Sequence, residues 1–380
     1  MRYRTLGKTG LQVSEIGFGA EWIGAMEQAE VNALAKHYVQ AGVNIVDCWM
    51  ADPAVRSSLG EALEPDRDKW IIQGHVGSTW QDGQYVRTRD MSVVPAAFED
   101  LPTRLRTDHV ELGMIHYVDA VDEFEQIMAG PFFAYVQQLR DEGKIQHIGL
   151  STHNTDVAFK AVEDGRIEML MFSINPAFDL VPPTDDIEVF FGEYDEALAG
   201  MDPTRERLYA ACEAANIGLT VMKPYAGGRL LDAAKSPFGV ALSPAQCIHY
   251  CLTRPSVVSV LAGVENRAQL EEALAYETAS PDELDYASVL AGAKAHAWAG
   301  QCTYCGHCAP CLVGIDIATV NKYADLAAMH DEVPEGIGAH YRELELTAAD
   351  CTGCGDCEQR CPFDVPIAEK MAQTAELFGC

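Results

Sequence analysis

No run of these 380 residues approaches the length of apolar chain that a membrane span needs. The opening stretch, MRYRTLGKTGLQVSEIGFGA, lacks the apolar core of a secretory signal, and a cytoplasmic protein is expected. Positive charge is scarce: 27 Lys and Arg face 57 Asp and Glu, a net charge of −30. Nucleic acid and anionic membrane surfaces would be repelled, so neither is an expected partner, and the excess charge serves solubility. No GxGxxG follows a strand-like run, which weakens an open dinucleotide-binding sheet. Disulfides are disfavoured in a reducing compartment, yet the chain has 13 cysteines, nine of them beyond residue 301. Cys48, Cys212, Cys247 and Cys251 sit singly in apolar segments and read as core packing.

From residue 16 to about 277, short β-branched runs alternate with longer segments of helical spacing. The runs are EIGFGA, VNIVD, WIIQGH, ELGMIHY, IQHIGLS, EMLMFSIN, GLTVMKP and SVVSVLAG; AEVNALAKHYVQAG, FFAYVQQLRDEGK and NRAQLEEALAYE are among the helical segments. Eight strand–helix pairs in a row predict a (β/α)₈ barrel. After the sixth run comes an insertion, TDDIEVFFGEYDEALAGMDP, on the face where such barrels keep their active sites. It reads as a lid or as inert decoration. The alternation stops near residue 285, dividing the chain into a barrel, 1–284, and a small helical, ferredoxin-like domain, 285–380.

That second domain holds two cysteine clusters. CTYCGHCAPC contributes Cys302, Cys305, Cys308 and Cys311; CTGCGDCEQRCP contributes Cys351, Cys354, Cys357 and Cys361. Paired CxxC units can bind zinc. Three thiols spaced two apart, with a fourth behind, are better suited to the corners of a four-iron cubane. The second motif matches the bacterial ferredoxin run in full; the first has a shorter last spacing and Leu312 where proline would follow. In two-cluster ferredoxins the fourth cysteine of each motif serves the other cluster. Carried over, one [4Fe–4S] cluster takes Cys302, Cys305, Cys308 and Cys361, and the other takes Cys351, Cys354, Cys357 and Cys311. Cys380 is left without a role.

YRTLGKTGLQVSEIGFGA, GVNIVD…LGEAL, LRDEGKIQHIGLST, INP and LAGVENRAQLEEAL, in that order, resemble the aldo-keto reductase family, and the whole chain resembles its ferredoxin-fused branch. The resemblance implies a (β/α)₈ barrel and carbonyl reduction by hydride from NAD(P)H, with a catalytic Asp, Tyr, Lys and His at strand ends. Asp47 stands at the position of the Asp and His116 at that of the His. The tyrosine's usual place, five residues after the Asp, holds Asp52, and no tyrosine lies between Tyr38 and Tyr85. The lysine's place holds His75, and no lysine occurs from 70 to 143. In the family the tyrosine protonates the carbonyl oxygen and the lysine lowers its pKa. Here His75 is expected to replace the lysine as partner of Asp47 and to act as general acid, since a neighbouring carboxylate favours the imidazolium. Asp47, His75, His116 and Asp52 are the catalytic candidates. A decayed site is the bland alternative.

The resemblance makes Ser151 and Gly263 the cofactor-side candidates, with Ser151 at the nicotinamide amide. Other positions of that site have changed: Thr152 replaces an Asn, Met171 a Gln, and Glu265 the cation that meets the 2′-phosphate of NADPH, with Arg267 two residues on. NADPH binding is therefore not expected, and NADH or no nicotinamide at all is. Asp47, His75 and His116, with Glu21 and His153 near by, also form a possible mononuclear metal triad. Lys223, in VMKPYAGG, is a cation for an acidic substrate or for the acidic insertion.

These readings converge on an iron–sulfur oxidoreductase. Electrons would pass from an external carrier, ferredoxin- or flavodoxin-like, through two [4Fe–4S] clusters to a small carbonyl-type substrate at the barrel mouth. One alternative is an NAD(P)H-dependent reductase whose clusters are structural or regulatory. A further one is a non-catalytic electron-transfer subunit.

Overall fold

Runs of four to eight β-forming residues close on themselves into a barrel. The computed structural model describes residues 1–192, 201–291, 300–330 and 332–379. An antiparallel pair comes first, β1 (Tyr3–Thr5) and β2 (Gln12–Ser14). The barrel strands follow as β3 (Ile16–Gly19), β4 (Ile45–Cys48), β5 (Ile71–Val76), β8 (Val110–Ile115), β9 (Ile145–Thr152), β10 (Met169–Ser173), β11 (Gly218–Met222) and β12 (Val257–Gly263). All pair in parallel, and β12 returns to β3. Between β5 and β8 the chain inserts a second antiparallel hairpin, β6 (Ser78–Gln81) and β7 (Gln84–Arg87), which the strand–helix alternation did not foretell.

Strand alternation sends side chains to two separate cores. Ile45, Leu112, Met114, Met169, Met171 and Leu261 cluster with Leu6 and Val13 from the β1–β2 segment. The other faces, with Phe18, Val46 and Ile72 among them, pack against the helices in a larger core. The N–H of Lys8 donates to Asn216 O, just before β11, so the β1–β2 segment stoppers the N-terminal end of the barrel. The C-terminal end is left as the place for a site. Of the insertion, residues 193–200 lie outside the described residues. The part before them forms a short 3₁₀ helix, Ile187–Phe191, whose Phe190 packs on Phe178 with ring centroids 4.8 Å apart.

The tail is helical, with Ile317–Ala328, Glu335–Arg342 and Ile367–Phe378 as its longer elements. It packs on the barrel helix Pro203–Ala214. The boundary near 285 is a change of pattern and not a gap in packing. Tyr286 donates to Thr303 O at 2.5 Å, and buried Arg254 also reaches Thr303 O while its guanidinium lies 4.5 Å from the Tyr250 ring and 5.1 Å from that of Tyr304. Among the described residues no helix is long and apolar enough to cross a membrane.

Candidate functional site

Three of the four catalytic candidates meet at neighbouring strand ends. Asp47 lies in β4, which pairs with β5, and His75 lies in β5. His116 follows β8, its N–H donating to Val76 O at 3.0 Å. Asp47 Oδ1 is 2.9 Å from His75 Nε2 and also accepts from Gln73 Nε2 at 3.0 Å. His75 Nδ1 is 2.8 Å from His116 Nδ1. Exposure is 2% for Asp47, 2% for His75 and 5% for His116, so none of the three presents a surface to solvent. Burial, then His75 and the arginines Arg89 and Arg87, hold the His116 pKa well below the ordinary histidine range.

Both ring nitrogens of His75 face other side chains, so it is an interior link and does not reach the barrel mouth itself. The group beyond it was missed in the sequence: Tyr85, whose hydroxyl is 2.6 Å from His116 Nε2. Tyr85 comes from the β6–β7 hairpin, 38 residues after Asp47, where the family's tyrosine stands five residues after. Trp80 and Tyr85 are cross-strand partners, and Asp82 and Gly83 between the strands have φ of 51° and 78°. A two-residue Asp-Gly loop with both φ positive is the hairpin turn that matches strand twist. STWQDGQYVR was therefore a readable hairpin signal. Arg87 Nη1 donates to Tyr117 O (2.7 Å) and Arg89 Nη2 to His116 O (2.6 Å), fastening the hairpin to the end of β8. The indole of Trp49 stacks parallel to His116, centroids 6.0 Å apart, and meets Tyr85 edge-on at 5.3 Å. Burial pushes the Tyr85 phenol up to about 12, against the opposing pull of Arg87 and Arg89.

Asp52 is not in this array. Its carboxylate accepts the Ala54 N–H at 2.7 Å and caps the helix Pro53–Leu63, as Asp before Pro at a helix start commonly does. The metal triad does not form either. The nitrogens of His75 and His116 point at each other, at Asp47 and at Tyr85, and among the described residues no three His, Cys, Asp or Glu side chains converge on one ion.

Across the mouth, Ser151 Oγ accepts the Tyr117 N–H at 2.8 Å. Thr152 Oγ1 donates to Asp119 (3.0 Å), whose other oxygen is 2.9 Å from His153 Nδ1. His153 Nε2 has no hydrogen-bond partner among the described residues. Met171, at the position of the family's glutamine, receives only a long contact of 3.7 Å from Gln73. Lys223 follows β11 with φ of 57°, its ammonium 5.9 Å from the Phe191 ring, and burial lowers its pKa while Glu21 and Asp119 oppose. Gly263 lies against the Trp22 indole. Glu265 is tied to Gln269, and Arg267, on the exposed face of the same helix start, pairs with Glu271 at 3.2 Å.

The eight cluster cysteines ring two hollows in the tail. One, of about 310 Å³ out to open solvent, is lined by Cys302, Cys305, Cys308 and Cys361. The other, of about 390 Å³, is lined by Cys311, Cys351, Cys354 and Cys357. Each motif thus sends its fourth cysteine to the other motif's hollow. The thiols surround a space and do not converge on a point, which fits a polynuclear cluster and not a single zinc. Asn321 Nδ2 donates to Cys302 Sγ at 3.5 Å. Burial disfavours the Cys311 thiolate, but the backbone N–H groups of Val313, Ile315 and Gly314 outweigh it and lower the pKa. On the rim of the second hollow Cys354 is exposed and Leu312 stands 71% exposed, while Cys357 is buried beneath them. Cys380 lies outside the described residues.

Residues 15–241, more than half of the chain, match the aldo/keto reductase family, and residues 301–366 match a 4Fe-4S dicluster domain. The uncharacterized oxidoreductase YqkF of Bacillus subtilis (strain 168) is 24% identical over 283 residues, covering 72% of this chain and 90% of that protein. L-galactose dehydrogenase of Arabidopsis thaliana is 25% identical over 305 residues, 72% of this chain and 88% of that one. Among solved structures, the holo form of aldo-keto reductase AKR11C1 from Bacillus halodurans superposes with a TM-score of 0.60 at 20% identity, covering 78% of this chain and 97% of that one. That likeness bears on the fold.

Proposed function

Because this chain belongs to the aldo/keto reductase family and carries a 4Fe-4S dicluster domain, we propose that it is an iron–sulfur oxidoreductase reducing a small carbonyl-type substrate at the barrel mouth. The carrying observation is the pair of four-thiol hollows on the same chain as a buried acid–base array. Cys302, Cys305, Cys308 and Cys361 would hold one [4Fe–4S] cluster, and Cys311, Cys351, Cys354 and Cys357 the other. When bound, such clusters supply electrons singly, from an external ferredoxin- or flavodoxin-like carrier.

At the mouth, the Asp47 carboxyl accepts from Gln73 Nε2 and faces His75 Nε2, which sets the His75 tautomer with hydrogen on Nε2. His75 Nδ1 then accepts from His116 Nδ1, which frees His116 Nε2 to accept in turn. The array can therefore store and hand on a proton while remaining dry. The Trp49 indole stacks parallel to the His116 ring. No step here runs through a nicotinamide, since Met171, Thr152 and Glu265 offer little to hold one.

Anaerobically prepared protein should contain about eight iron and eight sulfide per chain, as two four-iron clusters require. Cys305→Ser should remove the iron of one cluster and Cys354→Ser that of the other. Stoichiometric zinc without iron in the same preparation would contradict the assignment.

A further inference from the structure

Of the four groups linked by hydrogen bonds at the barrel mouth, only Tyr85 is half-exposed; Asp47, His75 and His116 are closed in. We propose that Tyr85 is the catalytic proton donor and the open end of a wire, Tyr85–His116–His75–Asp47, that holds one deliverable proton. The inference rests on the reading that a carbonyl is reduced at this mouth. It assigns the tyrosine's task to a residue on a different element from the one the family uses.

The donor and acceptor inventory allows two registers. In the resting register the Tyr85 O–H points inward to His116 Nε2, the His116 Nδ1–H points to His75 Nδ1, and the His75 Nε2–H points to the Asp47 carboxylate. The wire then carries three protons. The opposite order at the inner end would set a bare His75 Nε2 lone pair 2.9 Å from a carboxylate oxygen, which is repulsive. Adding one proton makes His75 an imidazolium against Asp47. His75 Nδ1–H now donates to His116 Nδ1, His116 Nε2–H donates to the Tyr85 oxygen, and the Tyr85 O–H turns outward to the mouth. This is the loaded register.

Donation returns the loaded wire to rest by three short hops. The Tyr85 O–H bond breaks as the substrate O–H forms, the proton on His116 Nε2 moves to the Tyr85 oxygen, and the proton on His75 Nδ1 moves to His116 Nδ1. Asp47 keeps its charge throughout. Reduction of a carbonyl to an alcohol takes two electrons and two protons. Two equivalents of a reduced one-electron carrier protein supply the electrons one at a time, Tyr85 supplies the proton that ends on oxygen, and water supplies the one that ends on carbon, leaving hydroxide. Between turnovers a solvent proton reloads the wire through Tyr85. His116 and Asp47, the cations Arg87 and Arg89, and the titratable neighbours Tyr117 and His153 face these groups. Arg87 and Arg89 oppose the burial that raises the Tyr85 phenol, and the proton arriving from His116 Nε2 replaces the one donated. Activity should fall as pH rises through the point where the loading proton is lost.

The test uses the full chain with its clusters oxidised and its histidines ¹⁵N-labelled, with no substrate added. At high pH, His75 should be the Nε2–H tautomer and His116 the Nδ1–H tautomer, and on acidification the two rings should take up one proton between them. Two independent single-ring titrations, or His116 resting as Nε2–H, would overturn the wire. Turnover is then read with reduced methyl viologen and a panel of small aldehydes and ketones. Tyr85→Phe, nearly isosteric, should lower kcat by about 10²- to 10⁴-fold with little change in KM and unaltered cluster spectra. His75→Gln should lower it similarly, because an amide cannot pass a proton. Full activity in Tyr85→Phe would overturn the donor assignment and leave the proposed function standing. A wild-type chain inert to the whole panel would count against the proposed function, and the labelling result would still decide the wire.

Discussion

Asp47 is a carboxylate at 2% exposure whose partners are Gln73 and His75. Burying a charge is tolerable only when it is paired and hydrogen-bonded. His75→Ala removes one of these two donors and leaves Gln73 as the other. The folded state should lose about 1.5–3 kcal/mol, the range for a hydrogen bond to a charged group. His75→Gln can still donate to Asp47 and should recover most of that while staying inactive. Denaturant unfolding of the two variants separates these effects, and equal stability of His75→Ala and wild type would mean that the Asp47–His75 contact does not stabilise the fold. A second residue speaks to pH. Burial, then Arg2, Arg254 and Arg4, lower His249 to about 4. Its folded pKa is below the unfolded value, so the unfolded chain binds the proton first. Stability from keeping it neutral is complete above about pH 6.5 and is lost as pH falls toward 4, on the order of 3 kcal/mol. His249→Asn should flatten that acid limb in unfolding measurements at pH 4 to 7, and an unchanged slope would assign it to other groups.

At the scale of elements, the β6–β7 hairpin matters most because it carries Tyr85 to His116. Asp82 in its turn has φ of 51°, which proline, fixed near −65°, cannot adopt. Asp82→Pro should leave the barrel and both clusters intact and reduce turnover to the level of Tyr85→Phe; thermal melting together with carbonyl reduction checks both halves. Much of the element pattern was legible in the sequence. The β-branched runs mark the barrel strands because parallel strands buried on both faces are near-continuously apolar. Asp47 and His75 could be brought together from strand order, since adjacent parallel strands align their ends. Tyr85 could not be found that way. It belongs to no barrel strand, and register arguments reach only residues within the repeating unit. The Asp-Gly turn between two alternating runs was the signal available, and it specifies a hairpin without saying where its tip folds. Asp52 was misplaced for a related reason: family spacing put it in the site, whereas the local Asp-Pro start of a helix uses its carboxylate as a cap.

Over the whole molecule, cysteine spacing carried far because short loops between thiols leave few arrangements open. The crossed set, with Cys361 beside the first motif and Cys311 beside the second, is the arrangement of the two hollows. Spacing could not tell that Arg254 and Tyr286 both seat on Thr303, because that depends on how the tail docks. The tail and the barrel share this buried joint, so the cysteine hollows and the Asp47–His75–His116 array are held on one packed framework. The most direct measurement is anaerobic and free of nicotinamide. Protein reduced with limiting dithionite is mixed with small aldehydes and ketones while the visible absorption of the clusters is followed. The clusters should reoxidise in the presence of a substrate, with one alcohol formed for every two electrons lost. Clusters that stay reduced against every carbonyl, in a protein that makes alcohol only when NAD(P)H is supplied, would contradict electron delivery from the tail to the barrel mouth.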